Sequence, residues 1–337
     1  MTGPVVAGLG CVLIVLALVD AAVTALSVVT GTGPVTGRVA RGVWRALRAV
    51  HTRTRGTGGL LKWSGTCTLL VTFLAWTVLL WVGWWLVFTA QEAAVVSSRT
   101  SVPADAWTRV YYAGYTVFTL GTGDYVPGTT WARVATPVAS LSGLFLVTLS
   151  LTYVVQVVQA VVHKRAFAEQ VHALGRDAAH IVATGWTGSG FSSMFNQHLV
   201  SLTEPLLRMG EQHLAYPVVH YFHSTVPTKA PAVALAVLDD TLLLLDAGAD
   251  PRARPDPAAT APLVAALDQV LDTLRGQFFR RADRERPAPP LSVLGRAGIP
   301  TVDEERYAAA VRRHARRRRT VRGFLYSDGW REDSERS

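Results

Sequence analysis

The sequence predicts an all-α membrane protein, and three observations predict it. Residues 5–29 carry a single charge, Asp20, and residues 65–90 and 134–162 carry none; each run exceeds the ~20 apolar residues that cross a bilayer as a helix. The basic residues are gathered between and after these runs, the distribution expected of a membrane chain. From Phe167 onward the apolar residues recur at helical spacing, without strand alternation.

Half of the 337 residues are apolar, which excludes a disordered chain. The net charge of +9 would suit nucleic acid, but the arginines flank apolar blocks without aromatic or motif support, so no nucleic-acid partner is expected. Cys11 and Cys67 fall inside apolar runs and read as small buried hydrophobes. Lysine occurs only at Lys62, Lys164 and Lys229. This arginine preference, with abundant Ala, Val and Gly, suggests a GC-rich bacterial genome; for a bacterial chain with these spans the expected location is the inner membrane.

The first span lies in a segment over 1–33. A cleaved leader is the alternative for residues 1–30, although the basic stretch that opens a leader is missing. Asp20 lies in the later half of the run, where a carboxylate near the membrane boundary costs least. In segment 34–63, Arg38, Arg41, Arg45 and Arg48 recur at helical spacing opposite Val39, Val43, Leu47 and Val50. This predicts a basic amphipathic helix among anionic lipid headgroups, serving as a topological anchor or as a lever toward the rest of the chain. With Arg53, Arg55 and Lys62 it makes this loop cytoplasmic, whereas Arg99 is balanced by Glu92 and Asp105 in the next. The N-terminus is then outside. Lys164 and Arg165 place the C-terminal half in the cytoplasm.

A second spanning helix is expected over 65–90, then a short helix over 105–117 capped by Asp105. The negative end of its dipole is at Val117. Next comes Thr119-Leu120-Gly121-Thr122-Gly123-Asp124. Gly121 and Gly123 tolerate dihedrals that a side chain forbids, so successive carbonyls can turn toward one axis and replace the water of a dehydrated cation. The carbonyls of Thr119, Leu120, Gly121 and Thr122, with the Thr119 hydroxyl, are the candidate ligands. A third span over 132–163 carries Thr148, Thr152, Gln156 and Gln159, with His163 continuing the stripe. Such a stripe faces water or protein; bonding between helices is the alternative.

The stretch Tyr111-Tyr112-Ala113-Gly114-Tyr115-Thr116-Val117-Phe118, the six residues after it, and Tyr125-Val126-Pro127, Trp131, Arg133 and Gly143 resemble the pore module of the tetrameric potassium-channel family. The resemblance covers residues 64–165 and implies a homotetramer, since one chain supplies only a quarter of each ion cage. It implies potassium ions in the filter and no other cofactor. Tyr111, Tyr112 and Tyr115 become filter support, Asp124 sits behind the filter, and Gly143 is the bending point of an inner helix whose polar stripe lines the cavity. Close packing against the pore helix is the alternative role for Gly143. The family most often has an aromatic residue where this chain has Thr122, so weak selectivity among monovalent cations is the alternative to potassium selectivity. No span carries arginines at every third position, the mark of a voltage sensor.

Residues 166–326 are expected to form a helical cytoplasmic domain, and 327–337 a disordered tail. The Gly-rich Gly185–Gly190 stretch follows no strand pattern, which argues against a phosphate cradle. The run Arg312, Arg313, Arg316, Arg317, Arg318, Arg319 and Arg322 suits anionic lipid headgroups or a solvated tail. His220 and His223 share one face if Pro217 starts a helix, and could bind a transition metal with Glu204, Glu211 or Asp239; helix packing or a subunit interface is the alternative. No nucleophile and base constellation stands out, so an enzyme is not expected. A non-conducting sensor or scaffold that keeps the pore fold is the remaining alternative.

Overall fold

The computed structural model describes residues 2–26, 32–53 and 63–330. The chain is an all-α membrane protein divided into two units, Met1–Val157 and Val158–Ser337. Helices α1 (Thr2–Leu26), α3 (Ser64–Thr89) and α5 (Thr130–Leu174) are long and apolar enough to cross a membrane. Between them lie α2 (Pro34–Arg53) and the short α4 (Ala106–Val117). The third helix exceeds the 132–163 expected, because its apolar periodicity continues through Phe167, Ala168 and Val171, all buried. Residues 54–62 of the predicted interfacial segment lie outside the described residues.

In the first unit, α1 packs along α3. A Cβ on Gly83 would lie 2.9 Å from the Gly10 carbonyl oxygen, so only glycine permits this approach. Asp20, in the last two turns of α1, is fully buried. Its carboxylate accepts from the backbone N–H groups of Val35 (2.7 Å) and Thr36 (3.1 Å), the Thr36 hydroxyl (2.6 Å) and Trp76 Nε1 (2.7 Å). The first turn of α2 has N–H groups that no helical carbonyl reaches, and its dipole favours an anion there. Asp20 thereby ties α1, α2 and α3 together, while Arg38, Arg41 and Arg45 stay exposed and Val39, Val43 and Leu47 are half-buried.

The stretch after α3, expected as plain loop, contains β1 (Val95–Ser97), antiparallel to β2 (Tyr125–Pro127). Ser97 pairs with Tyr125, Val96 with Val126 and Val95 with Pro127.

The second unit is helical, as expected: the end of α5, then α6 (Ala178–Gly185), α7 (Ser193–Ser201), α8 (Thr203–Ala215), α9 (Pro231–Leu243), α10 (Pro257–Gln277), α11 (Ser292–Arg296), α12 (Glu304–Arg313) and α13 (Ala315–Ser327). The Gly-rich stretch is a tight turn between α6 and α7, closed by Thr187 N–H on the Gly190 carbonyl at 2.9 Å. Every residue of α9 is buried, which is the signature of a central helix. Its Asp239 and Asp240 must then be paired. Arg318, fully buried, donates through Nη1 to Asp239 Oδ2 (3.0 Å) and Asp240 Oδ1 (2.9 Å); Arg317 Nε reaches Asp239 Oδ1 at 2.6 Å, and Arg286 pairs with Asp240. The basic run is therefore not uniformly a lipid-facing or solvated surface, because two of its arginines neutralise an acidic pair in the core. The tail also begins later than 327: α13 ends at Ser327, Asp328 bonds His223, and the Trp330 N–H donates to the Leu325 carbonyl at 3.0 Å. Residues 331–337 lie outside the described residues.

Candidate ion pathway

The short helix α4 is held from three sides. Asp105 caps it by accepting from the Thr108 N–H at 2.7 Å, an interaction typically worth ~1 kcal/mol. Trp81 Nε1 on α3 donates to the Val110 carbonyl at 2.9 Å, and its ring meets Phe118 edge-on. From α5, the Thr136 hydroxyl donates to the Ala132 carbonyl, so in the 2.6 Å contact between Tyr112 and Thr136 the tyrosine is the donor. Trp84 Nε1 on α3 reaches Ser142 Oγ on α5 at 2.9 Å. Buried tyrosine and tryptophan find a partner for the polar tip while the ring fills the core. These contacts fix where α4 ends.

At that end the chain leaves the helix in an alternating conformation. Thr119, Gly121 and Gly123 have φ of 60°, 65° and 80°, so left-handed residues occupy every second position. That alternation turns successive peptide planes the same way. The N–H groups of Thr119 and Leu120 bond back to the carbonyls of Thr116 (3.2 Å) and Tyr115 (2.8 Å). Among the described residues, the carbonyls of Thr119, Leu120, Gly121, Thr122 and Gly123 accept no hydrogen bond. Residues 118–124 are exposed within the single chain. A Cβ on Gly121 or Gly123 would meet nothing within 4 Å; the glycine requirement is conformational and not one of space.

Behind this strand, Tyr111 directs its hydroxyl at Thr122 Oγ1 (3.0 Å) and Asp124 Oδ2 (3.4 Å). Tyr115 packs edge-on against both Tyr111 and Tyr112, each at 5.2 Å, and its hydroxyl donates to the Tyr125 carbonyl. The far end is pinned by Ser98 N–H on the Asp124 carbonyl (2.9 Å), where the small sheet begins. Trp131 on α5 donates to Gln91.

Along α5, a Cβ on Gly143 would collide with the Val117 carbonyl. This is the close packing against the last turn of α4 that was the alternative to a bending point, and α5 is continuous through it. Thr148, Thr152, Gln156 and Gln159 are exposed in the single chain, opposite the buried Leu146, Leu149, Tyr153, Val157 and Ala160. The two threonine hydroxyls bond back to Leu144 and Thr148 carbonyls at 2.9 Å. At the end of the stripe, Gln212 Nε2 donates to His163 Nδ1 at 2.9 Å.

The metal reading of His220 and His223 finds no support: among the described residues no group of three or more His, Cys, Asp or Glu side chains converges on one point. His223 Nδ1–H donates to Asp328 Oδ1 at 2.6 Å, and His220 stacks on Phe278 with ring centroids 4.8 Å apart. The two imidazoles do lie side by side, with ring centroids 6.1 Å apart, after a 3₁₀ turn at residues 217–221. Asp239 is occupied by Arg317 and Arg318, and Glu204 by Arg208.

Sequence reasoning missed the indoles of Trp76, Trp81 and Trp84 and their partners Asp20, Val110 and Ser142. The available signal was four tryptophans within ten residues, Trp76, Trp81, Trp84 and Trp85, because an indole N–H in an apolar helix needs an acceptor.

A family model described as an ion channel matches residues 68–160, which comprise most of α3, all of α4, the alternating strand and α5 to Ala160. The chain is 29% identical over 323 residues to YdjJ, an uncharacterized membrane protein of Bacillus subtilis (strain 168), covering 96% of this chain and 93% of that one. It is 28% identical over 130 residues to the A-type voltage-gated potassium channel KCND3 of Rattus norvegicus, covering 38% of this chain and 19% of the channel's length; the Homo sapiens channel matches over the same shares. No solved structure matches. Together these findings support a potassium-channel-like pore in residues 68–160, and a role in ion passage rather than catalysis.

Proposed function

We propose that the protein conducts potassium ions through a homotetrameric pore whose filter is Thr119–Asp124. The observation that carries this reading is the row of hydrogen-bond-free carbonyls from Thr119 to Gly123, on a backbone left-handed at every second residue. Carbonyls without partners are costly unless something replaces water. A dehydrated cation enclosed by several copies of this strand supplies that replacement. One chain offers one wall of such a cage, and the exposed Phe118 and Leu120 beside it suit burial between subunits. The stripe from Thr148 to Gln159 then lines the inner cavity, with the exposed apolar residues of α1, α3 and α5 facing lipid or neighbouring chains. The second unit is cytoplasmic in this reading, the N-terminus is outside, and the membrane is a bacterial inner membrane with anionic lipids near α2.

Purified protein in liposomes is expected to take up thallium, to give a bi-ionic reversal potential favouring potassium over sodium, and to weigh four chains by mass photometry in mild detergent. A particle of two or three chains would overturn the assembly, and absence of flux from correctly assembled protein would leave a scaffold that keeps the pore fold. Weak selectivity among monovalent cations is the second reading, motivated by Thr122; the reversal potential separates the two.

A further inference from the structure

The basic run at the end of the second unit leaves arginines over once the buried pairs are formed. Arg317 and Arg318 serve Asp239 and Asp240. Arg313 and Arg316 instead line a cavity of about 300 Å³ between α10 and the α12–α13 corner, facing Asp268 and Asp272. Among the described residues neither arginine has an ion-pair or hydrogen-bond partner.

Neither carboxylate pairs with Arg313 or Arg316 among the described residues. Asp272 is engaged by Arg275 at 3.3 Å and approached by Arg281 at 3.8 Å, and Asp268 lies 3.8 Å from Arg317. Arg281 stands beside the cavity, its Nε on the Thr320 hydroxyl and its buried Nη2 paired with Asp272 only at 3.8 Å. Burial, and behind it the charges of Arg275, Arg316 and Arg319, hold its guanidinium below the ordinary arginine range. Asp268 and Asp272 offset only part of the positive charge gathered here by Arg313, Arg316, Arg317, Arg275 and Arg281. Guanidinium forks match phosphate oxygens two at a time. Asp268, which accepts no hydrogen bond among the described residues, is placed to accept from a hydroxyl on the same ligand. The volume is at the lower end of small-molecule sites, ~300–1,000 Å³.

We infer that this cavity binds a phosphate ester that also carries hydroxyls, either a free solute or the headgroup of a lipid. The inference is independent of conduction, since it rests on the second unit alone.

The test uses the full chain in nanodiscs. In zwitterionic phosphatidylcholine discs, ATP is titrated calorimetrically; in a second arm, discs containing phosphatidylglycerol are assayed by native mass spectrometry for retained lipid. Calorimetric binding of ATP identifies a soluble ligand, and selective retention of phosphatidylglycerol identifies a headgroup. In either arm the double variant Arg313→Gln, Arg316→Gln should weaken binding about a hundredfold, or tenfold per charged contact. Arg316→Lys, which keeps the charge but not the fork, should lose about tenfold. Arg312→Gln, the same charge change outside the cavity lining, should bind as wild type. Both exchanged arginines are exposed and unpaired, so the thermal midpoint should not move. Binding of neither probe by wild type, unchanged binding in the double variant, or an equal loss in Arg312→Gln would each overturn the site.

Discussion

The Tyr111 hydroxyl lies 3.0 Å from the Thr122 hydroxyl, so a tyrosine of the short helix holds the strand from behind. One hydrogen bond from this hydroxyl joins helix and strand at Thr122, beside the longer contact to Asp124 Oδ2 at 3.4 Å. Removing it with Tyr111→Phe, or with the similarly shaped Thr122→Val, should loosen the strand. A hydrogen bond of this kind contributes ~0.5–1.5 kcal/mol, so the potassium-to-sodium permeability ratio should fall by up to about tenfold. The bi-ionic reversal potential is the readout, and the two variants should not be additive, because they remove the same contact.

Gly121→Ala should abolish thallium flux while the assembly persists. Space is not the obstacle, since an added Cβ meets nothing within 4 Å in the single chain. The obstacle is the φ of 65°, which costs an alanine ~1–2 kcal/mol and favours flipping the peptide away from the common axis. Mass photometry should still give the wild-type particle.

Asp20→Ala should destabilise the membrane unit strongly, and Asp20→Asn less. The alanine leaves two backbone N–H groups, a hydroxyl and an indole N–H without their acceptor, at ~1–3 kcal/mol for each group that stays buried. The amide keeps one acceptor oxygen. Thermal unfolding in detergent, read by intrinsic tryptophan fluorescence, should rank wild type above Asn above Ala.

In the second unit, Arg318→Met should cost ~3–5 kcal/mol because it removes the one fully buried cation shared by Asp239 and Asp240, leaving each with a single arginine. Adding Asp239→Leu and Asp240→Leu should deepen the loss, because Arg317 and Arg286 would then lose their partners too. Denaturation of the full chain in detergent checks the order.

Burial, and behind it the charge of Lys164, hold the His213 imidazole down to about 3 from an ordinary 6.5. The unfolded chain therefore binds a proton that the folded chain refuses between those values. Stability from this residue is complete above pH 6.5 and is lost on acidification toward about 3, with a limiting slope of ~1.4 kcal/mol per pH unit. His213→Leu should flatten this acid limb by one proton's worth. Equilibrium denaturation at a series of pH values measures it.

The spans, the Asp105 cap, the short helix and the strand after it were legible because each is written locally: uncharged length, a capping residue, and glycine at alternate positions. The β1–β2 pair was not, since three-residue strands twenty-eight positions apart carry no periodicity of their own, and are held by their mutual register. The spacing of His220 and His223 did bring their rings within 6.1 Å of each other, but their further partners, Phe278 and Asp328, lie 58 and 105 positions away and carry no local signal.

What the sequence by itself determined is the membrane character, the helix order and the place of the carbonyl strand, because hydrophobic length, charge exclusion and glycine dihedral freedom act over a few neighbouring residues. Only the tertiary structure decided which polar groups meet. Asp20 with Trp76, Trp84 with Ser142, and Arg318 with Asp239 join residues that lie 56, 58 and 79 positions apart. A buried polar atom specifies that it needs a partner, but not which one; that depends on which helices the apolar faces have already brought together.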